Sequence, residues 1–161
     1  MSVKALYPGT FEPPTNGHLD LIQRGARLFE HLTVAILVNP VKNPLFTAAE
    51  RAEMLTDATR SIGNVSVAMF DGLMVEFARQ QGVGVILRGI RAITDYENEF
   101  PMALMNRRLA PEIETVFLQP AGRYSFVSSR LVKEVFSFGG DLTGLVPPNV
   151  LKRLKNQKSQ A

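Results

Sequence analysis

The 161-residue sequence contains no cysteine, which excludes disulfides, thiolate metal sites and a cysteine nucleophile and fits a reducing compartment. Histidine is nearly as scarce. Only His18 and His31 occur, too few for a histidine-built metal centre. No serine sits in a GxSxG elbow, and neither a GxxxxGK[ST] loop nor a GxGxxG turn is present, so the hydrolase, P-loop and dinucleotide fingerprints are all missing. No apolar run approaches the roughly 20 residues of a membrane helix. The N-terminal run is broken by Pro8 and Gly9 before it reaches signal-peptide length, so a cytoplasmic location without membrane association is expected. There is no internal repeat, low-complexity segment or Pro/Gly/Ser-rich linker, and residues 1–161 read as one domain.

The chain is basic, with a pI near 9.4, which raises the question of nucleic acid. The last eleven residues, LKRLKNQKSQA, hold four of the eighteen Lys and Arg and no acid, leaving fourteen basic against fifteen acidic residues in the body. The excess therefore describes a solvated, frayed tail over about 150–161 rather than a basic groove, and no nucleic-acid partner is expected.

Five short apolar runs recur at near-regular spacing: residues 3–8, 32–38, 64–70, 83–88 and 114–120. Each reads as a buried strand. Helical patterns lie between them. Leu19, Ile22, Ala26 and Phe29 keep one face apolar after His18, which leaves His31 at the surface end of that helix. Thr47 with Glu50, and Thr94 with Glu97, have capping-box spacing, while Gly82 and Gly139 stand where helices would end. Pro101 interrupts the helix that follows Thr94, which predicts a kink or a late start. Strand and helix alternate throughout, so the expected fold is α/β: a Rossmann-like, doubly wound domain with a five-stranded parallel sheet and helices on both faces.

In such sheets ligands bind beyond the carboxyl ends of the strands, and the chemistry gathers there. The first strand delivers PGTFEPPTNGH. Gly9 lets the backbone approach a ligand, Thr10 offers a hydroxyl, Pro13 and Pro14 stiffen the loop, and Asn16-Gly17 leads into a helix whose free N–H groups and positive dipole end lie beside His18. Lys42, Arg88 and Arg91 add charge on the same edge, and Ser128 with Ser129 opens a second anion-binding helix terminus. Taken singly, His18 reads more readily as a capping or solvated residue, Lys42 as a solvated lysine and the Ser pair as a plain N-cap. Their joint occurrence on one edge makes a polyphosphate site. Covalent catalysis has no strong candidate, which leaves positioning and electrostatics.

The segment GTFEPPTNGH resembles the GxFDPxxxGH signature of the nucleotidyltransferase superfamily with its T/HxGH motif. Within it, YPGTFEPPTNGHLDLIQRG, ILRGIRAITDYENEF and YSFVSSRLVKEV together resemble the bacterial phosphopantetheine adenylyltransferases, with the likeness running to about Pro148. The resemblance implies transfer of AMP from ATP to 4'-phosphopantetheine with Mg2+ as cofactor, giving dephospho-coenzyme A and pyrophosphate. It maps ATP contacts onto Thr10, Phe11, His18, Gly89, Ile90, Arg91, Glu99, Tyr124, Ser125, Phe126, Val127, Ser128, Ser129 and Arg130. It maps acceptor contacts onto Thr10, Lys42, Met74 and Arg88. It also implies a homohexamer, with coenzyme A as a feedback ligand. Glu12 replaces the usual Asp of the signature, Arg130 stands where a third Ser is common, and Pro101 interrupts the helix carrying Glu99.

On this reading His18, Thr10, Lys42 and Arg88 carry the catalysis. His18 and its helix N–H groups face the α-phosphate, Thr10 orients the incoming phosphate, Lys42 and Arg88 hold it, and Arg91 with Ser128 and Ser129 holds the β and γ phosphates. The nucleophile is already anionic, so no general base is required. Two other readings stay open on sequence: a related adenylyl- or cytidylyltransferase with a different phosphate acceptor, and a non-catalytic nucleotide sensor, which would bind nucleotide without releasing pyrophosphate.

Overall fold

The structure, a computed structural model, describes residues 3–38 and 43–160. Five strands, β1 (Lys4–Gly9), β2 (His31–Leu37), β3 (Val65–Phe70), β4 (Val85–Gly89) and β5 (Glu114–Leu118), form one sheet in the order β3-β2-β1-β4-β5, and every pairing is parallel. Between and after them lie α1 (Asn16–Leu28), α2 (Ala48–Thr59), α3 (Met74–Gln80), α4 (Ile93–Leu109), a 3-10 turn at Gly122–Tyr124, α5 (Ser129–Ser137) and α6 (Pro148–Gln160). This is the expected doubly wound α/β fold. No helix among the described residues is long and apolar enough to cross a membrane.

Strand alternation builds two cores. Ala5, Tyr7, Val34, Ile36 and Leu87 face one way and pack with Leu21 and Ile22 of α1 and Leu55 of α2. Leu6, Ala35 and Ile86 face the other way, onto Val75 and Ala78 of α3 and onto Ala110 and Ile113 beyond α4. A third cluster of Phe46, Met54, Val132, Val150 and Leu154 joins α2, α5 and α6.

Four local expectations are corrected. Residues 150–161, expected as a frayed tail, belong to α6 as far as Gln160: Val150 and Leu154 are buried, Arg153 pairs with Glu53 at 2.6 Å, and Gln157 donates to the Leu45 carbonyl. Thr94 and Glu97 make no capping box. The N-cap of α4 is Ala92, because the Asp95 carboxylate reaches back from the first turn to the Arg91 N–H. The helix then runs through Pro101 without a late start. His31 opens β2 and meets the Ser66 hydroxyl at 2.8 Å. The Thr47–Glu50 capping box and the left-handed glycines at 82 and 139 stand as expected.

The topology also makes the opening for a site. β1 runs beside β2 as far as Gly9, but its ladder with β4 ends at Leu6 and Ile86. Beyond that point β1 and β4 share no ladder, at the position where the direction of winding reverses.

Candidate active site

The gap between β1 and β4 opens into a cleft of ≈ 330 Å³. Tyr7 to Phe11 supply one wall, Thr15, Gly17, His18 and Leu21 of the α1 entry a second, Arg88, Gly89, Arg91, Asp95, Asn98 and Glu99 a third, and Pro120 with Val127, Ser128 and Ser129 the fourth.

The loop after β1 is shaped by its aromatic residue. Phe11 has a left-handed backbone, φ 49°, a conformation that costs a non-glycine residue about 1–3 kcal/mol. Its ring stands edge-on to both Tyr7 and His18, at centroid distances of 5.3 and 5.0 Å. Gly9 makes room for that ring, since a Cβ there would lie 3.1 Å from it. Gly89 makes room for Leu21 in the same way.

His18 is the third residue of α1 and completes a capping box. The Thr15 hydroxyl accepts the His18 N–H, and the Thr15 N–H donates to Nδ1 at 3.0 Å. A backbone N–H can only donate, so Nδ1 is unprotonated and the neutral ring carries its proton on Nε2. Burial, then the charges of Arg91 and Arg88, lower the imidazole pKa from 6.5 to about 4. At neutral pH His18 is therefore an uncharged donor at a helix N-terminus. The capping bond occupies Nδ1 alone, so capping and a donor role for Nε2 are compatible in one ring.

Both cleft arginines are held by carboxylates of α4. Glu99 takes Arg88 in a fork, Nε to Oε2 at 2.7 Å with the second bond between NH2 and Oε1, while Arg88 NH1 donates to the Pro8 carbonyl across the gap between the strands. Burial opposes the Arg88 charge, but the Glu99 contacts outweigh it and leave its pKa above the ordinary value. Arg91 is gripped by Asp95 and donates to the Val127 carbonyl at 2.9 Å. Burial pushes the Asp95 pKa up, yet its bonds from Arg91 win and set it below the usual carboxylate value. Two guanidinium groups are thus fixed in place with their charges largely balanced.

At the opposite wall the Ser128 hydroxyl caps α5 by accepting from the Leu131 N–H, and the Ser129 hydroxyl donates to the Pro13 carbonyl. The donors left for an anion here are the Ser129 and Arg130 N–H groups and the Ser128 proton.

Of the residues expected at the site, Thr10, Phe11, His18, Arg88, Gly89, Arg91, Glu99, Val127, Ser128 and Ser129 converge on the cleft. Ile90 lies in an adjoining groove with Tyr96 and Phe117. Met74 opens α3, with its sulfur 4.0 Å from the Asn106 amide. Tyr124 packs beside Gly17 and beneath the Arg123 guanidinium, and Ser125, Phe126 and Arg130 are exposed, so these four stand outside the cleft lining. Lys42 lies outside the described residues. Tyr7, Thr15, Asp95 and Asn98 were missed. The four-residue spacing from Arg91 to Asp95 could have signalled one of them, and Thr15 three residues before His18 another.

A family model described as cytidylyltransferase-like matches residues 6–135. Three curated relatives named phosphopantetheine adenylyltransferase match most of the chain. The Heliobacterium modesticaldum protein is 53% identical over 150 residues, 93% of this chain and 89% of its own. Those of Natranaerobius thermophilus and Anaeromyxobacter dehalogenans are 52% and 51% identical, spanning 90% and 98% of this chain and 90% and 96% of their own. The chain belongs to the phosphopantetheine adenylyltransferases, within the cytidylyltransferase-like family. It is a nucleotidyltransferase. A solved Vibrio parahaemolyticus structure, a nicotinate-nucleotide adenylyltransferase candidate, superposes with a TM-score of 0.71 over 97% of this chain and 93% of that one at 15% identity, which shows the shared fold.

Proposed function

We propose that the protein transfers the adenylyl group of ATP to 4'-phosphopantetheine in the cytoplasm, releasing pyrophosphate and forming dephospho-coenzyme A. The observation that carries this is one cleft that combines a neutral His18 donor at the N-terminus of α1, the Thr10 hydroxyl and two pre-positioned arginines, in a chain about half identical to relatives bearing that name. A phosphate oxygen of the acceptor attacks the α-phosphorus in line. His18 Nε2–H and the Gly17 N–H meet the charge that grows on the non-bridging oxygens, since the Asn16 and His18 N–H groups already donate to Leu145 and Thr15, and such a contribution is strongest where donors are already fixed. Thr10 orients the acceptor phosphate, with Arg88 and Lys42 holding it. Arg91, Ser128 and the α5 terminus hold the leaving pyrophosphate. Because Glu99 shares Arg88 and Asp95 shares Arg91, each guanidinium is aligned before ligand arrives, and binding redistributes hydrogen bonds rather than ordering a loose side chain.

Mg2+ fits this scheme as an ion carried by the triphosphate. Among the described residues no group of three or more His, Asp or Glu forms a cage, and both cleft carboxylates are engaged by arginine, so the phosphate oxygens would be its main ligands. Coenzyme A contains both halves of the product and would compete for the same cleft. The homohexamer implied by the resemblance would cover the exposed apolar residues of α4, including Phe100, Met102 and Leu104.

The test is pyrophosphate release with ATP, Mg2+ and a panel of acceptors. 4'-Phosphopantetheine should be turned over rapidly, whereas glycerol phosphate and nicotinamide mononucleotide should not. Preference for either of those two would refute the assignment.

A further inference from the structure

The Glu12–Arg51 pair lies beneath the cleft and touches none of its open surface. Both side chains are 3% exposed, and Nε of Arg51 is 3.4 Å from Oε2 of Glu12. Glu12 Oε1 accepts the N–H groups of Leu45 and Phe46, at 2.7 and 3.3 Å, while Oε2 has no hydrogen bond. Arg51 donates from Nε to the Thr47 carbonyl and from NH1 to the Thr10 carbonyl at 2.5 Å. One ion pair thus ties together the loop after β1, the chain leading into α2, and α2 itself.

A buried ion pair is a poor device for stability, since desolvation of both charges commonly offsets their attraction and an apolar replacement is often neutral or stabilising. The incompletely bonded Oε2 sharpens that point. Through the bond from Arg51 NH1 to the Thr10 carbonyl, the pair holds the peptide between Thr10 and Phe11. That peptide sets the direction of the Thr10 side chain and enters Phe11 in its left-handed conformation, with the ring against His18.

We propose that Arg51, held by Glu12, is a positioning residue for the transfer reaction, acting through the Thr10 carbonyl to orient the Thr10 hydroxyl and the Phe11 ring. This rests on the role given to Thr10 above. Glu12, one methylene longer than the Asp usual in the signature, is long enough here to reach the 45–46 amides and the guanidinium together.

The test is the double substitution Glu12→Gln with Arg51→Met, which removes both charges while the glutamine oxygen can still accept the Leu45 and Phe46 N–H groups. Arg51→Lys is its conservative companion. The double variant should melt near the wild type and bind ATP nearly as well, while turnover falls at least about tenfold, as for a lost charged hydrogen bond acting on the reaction. Arg51→Lys, which keeps the charge but replaces the forked guanidinium by a single donor nitrogen, should fall between. Deuterium uptake of peptides spanning residues 10–18, measured without substrate, should quicken in the double variant and supplies a readout independent of activity. A folded double variant with normal turnover and unchanged uptake would overturn the proposal. Should the double variant fail to fold, Arg51→Lys decides: turnover and uptake both equal to wild type would overturn it. Absence of pyrophosphate release by the wild type in the same assay would instead refute the proposed function, and uptake would then judge the positioning role alone.

Discussion

Thr15 and His18 satisfy each other's backbone N–H groups, and that reciprocity leaves the imidazole with one defined proton. Most of the site depends on such single fixed positions. Gly9 is one: its hydrogen faces the Phe11 ring, so Gly9→Ala should press the ring toward His18. We expect destabilisation of about 1–3 kcal/mol, typical of overpacking, with a larger relative loss of turnover, measured by a melt beside steady-state kinetics. Arg91 is another. Because it is held by both Asp95 and the Val127 carbonyl in the position proposed above for the nucleotide phosphates, Arg91→Ala should weaken ATP by roughly tenfold to a hundredfold, the effect of one charged hydrogen bond, and weaken the acceptor less. Calorimetric titrations with the reverse order would exchange the two subsites. The sequence displayed these cations but not their partners. Arg88 stands at the end of an apolar strand, and its anionic partner is Glu99, eleven residues on in the helix that follows, a separation that no local spacing rule singles out.

At the scale of elements, the strands were legible because each is a short aliphatic run between turn residues, and all five fall within two residues of expectation at either end. The α4 entry was misjudged because Thr94 and Glu97 have the spacing of a capping box, whereas the helix starts after Ala92 and Asp95 in its first turn reaches back to the Arg91 N–H and guanidinium. The C-terminal helix was misjudged for a different reason: four basic residues in eleven mask an apolar stripe of Val150, Leu151 and Leu154. Leu154 is 1% exposed, so Leu154→Ala should cost about 2–5 kcal/mol in denaturant unfolding, the range for a core leucine. Turnover of the remaining folded protein should stay near normal, because α6 contributes nothing to the cleft. A change below 1 kcal/mol would mean that α6 is not docked.

For the whole molecule, His18 links folding to pH. Below about pH 6.5 the unfolded chain binds a proton on this ring, which the native protein refuses until about pH 4. The group's contribution to stability is therefore complete above 6.5 and is lost as pH falls toward 4. His18→Asn removes the titrating ring, so the drop in melting temperature from pH 6.5 to 4.5 should be smaller in that variant than in the wild type. Equal drops would contradict the buried, neutral histidine.

The same variant separates structure from chemistry most directly. Asparagine can place its Oδ1 near the position of Nδ1 and keep the capping bond from Thr15, but it offers nothing in place of the Nε2 proton. Steady-state kinetics of His18→Asn at pH 7.5, beside its melt and an ATP titration, should show a folded protein that binds ATP nearly as well as the wild type. Its turnover should be reduced on the order of a hundredfold to a thousandfold, the effect of losing one donor aimed at developing charge. Near-normal turnover in that folded, ATP-binding protein would contradict the account and reduce His18 to a helix cap.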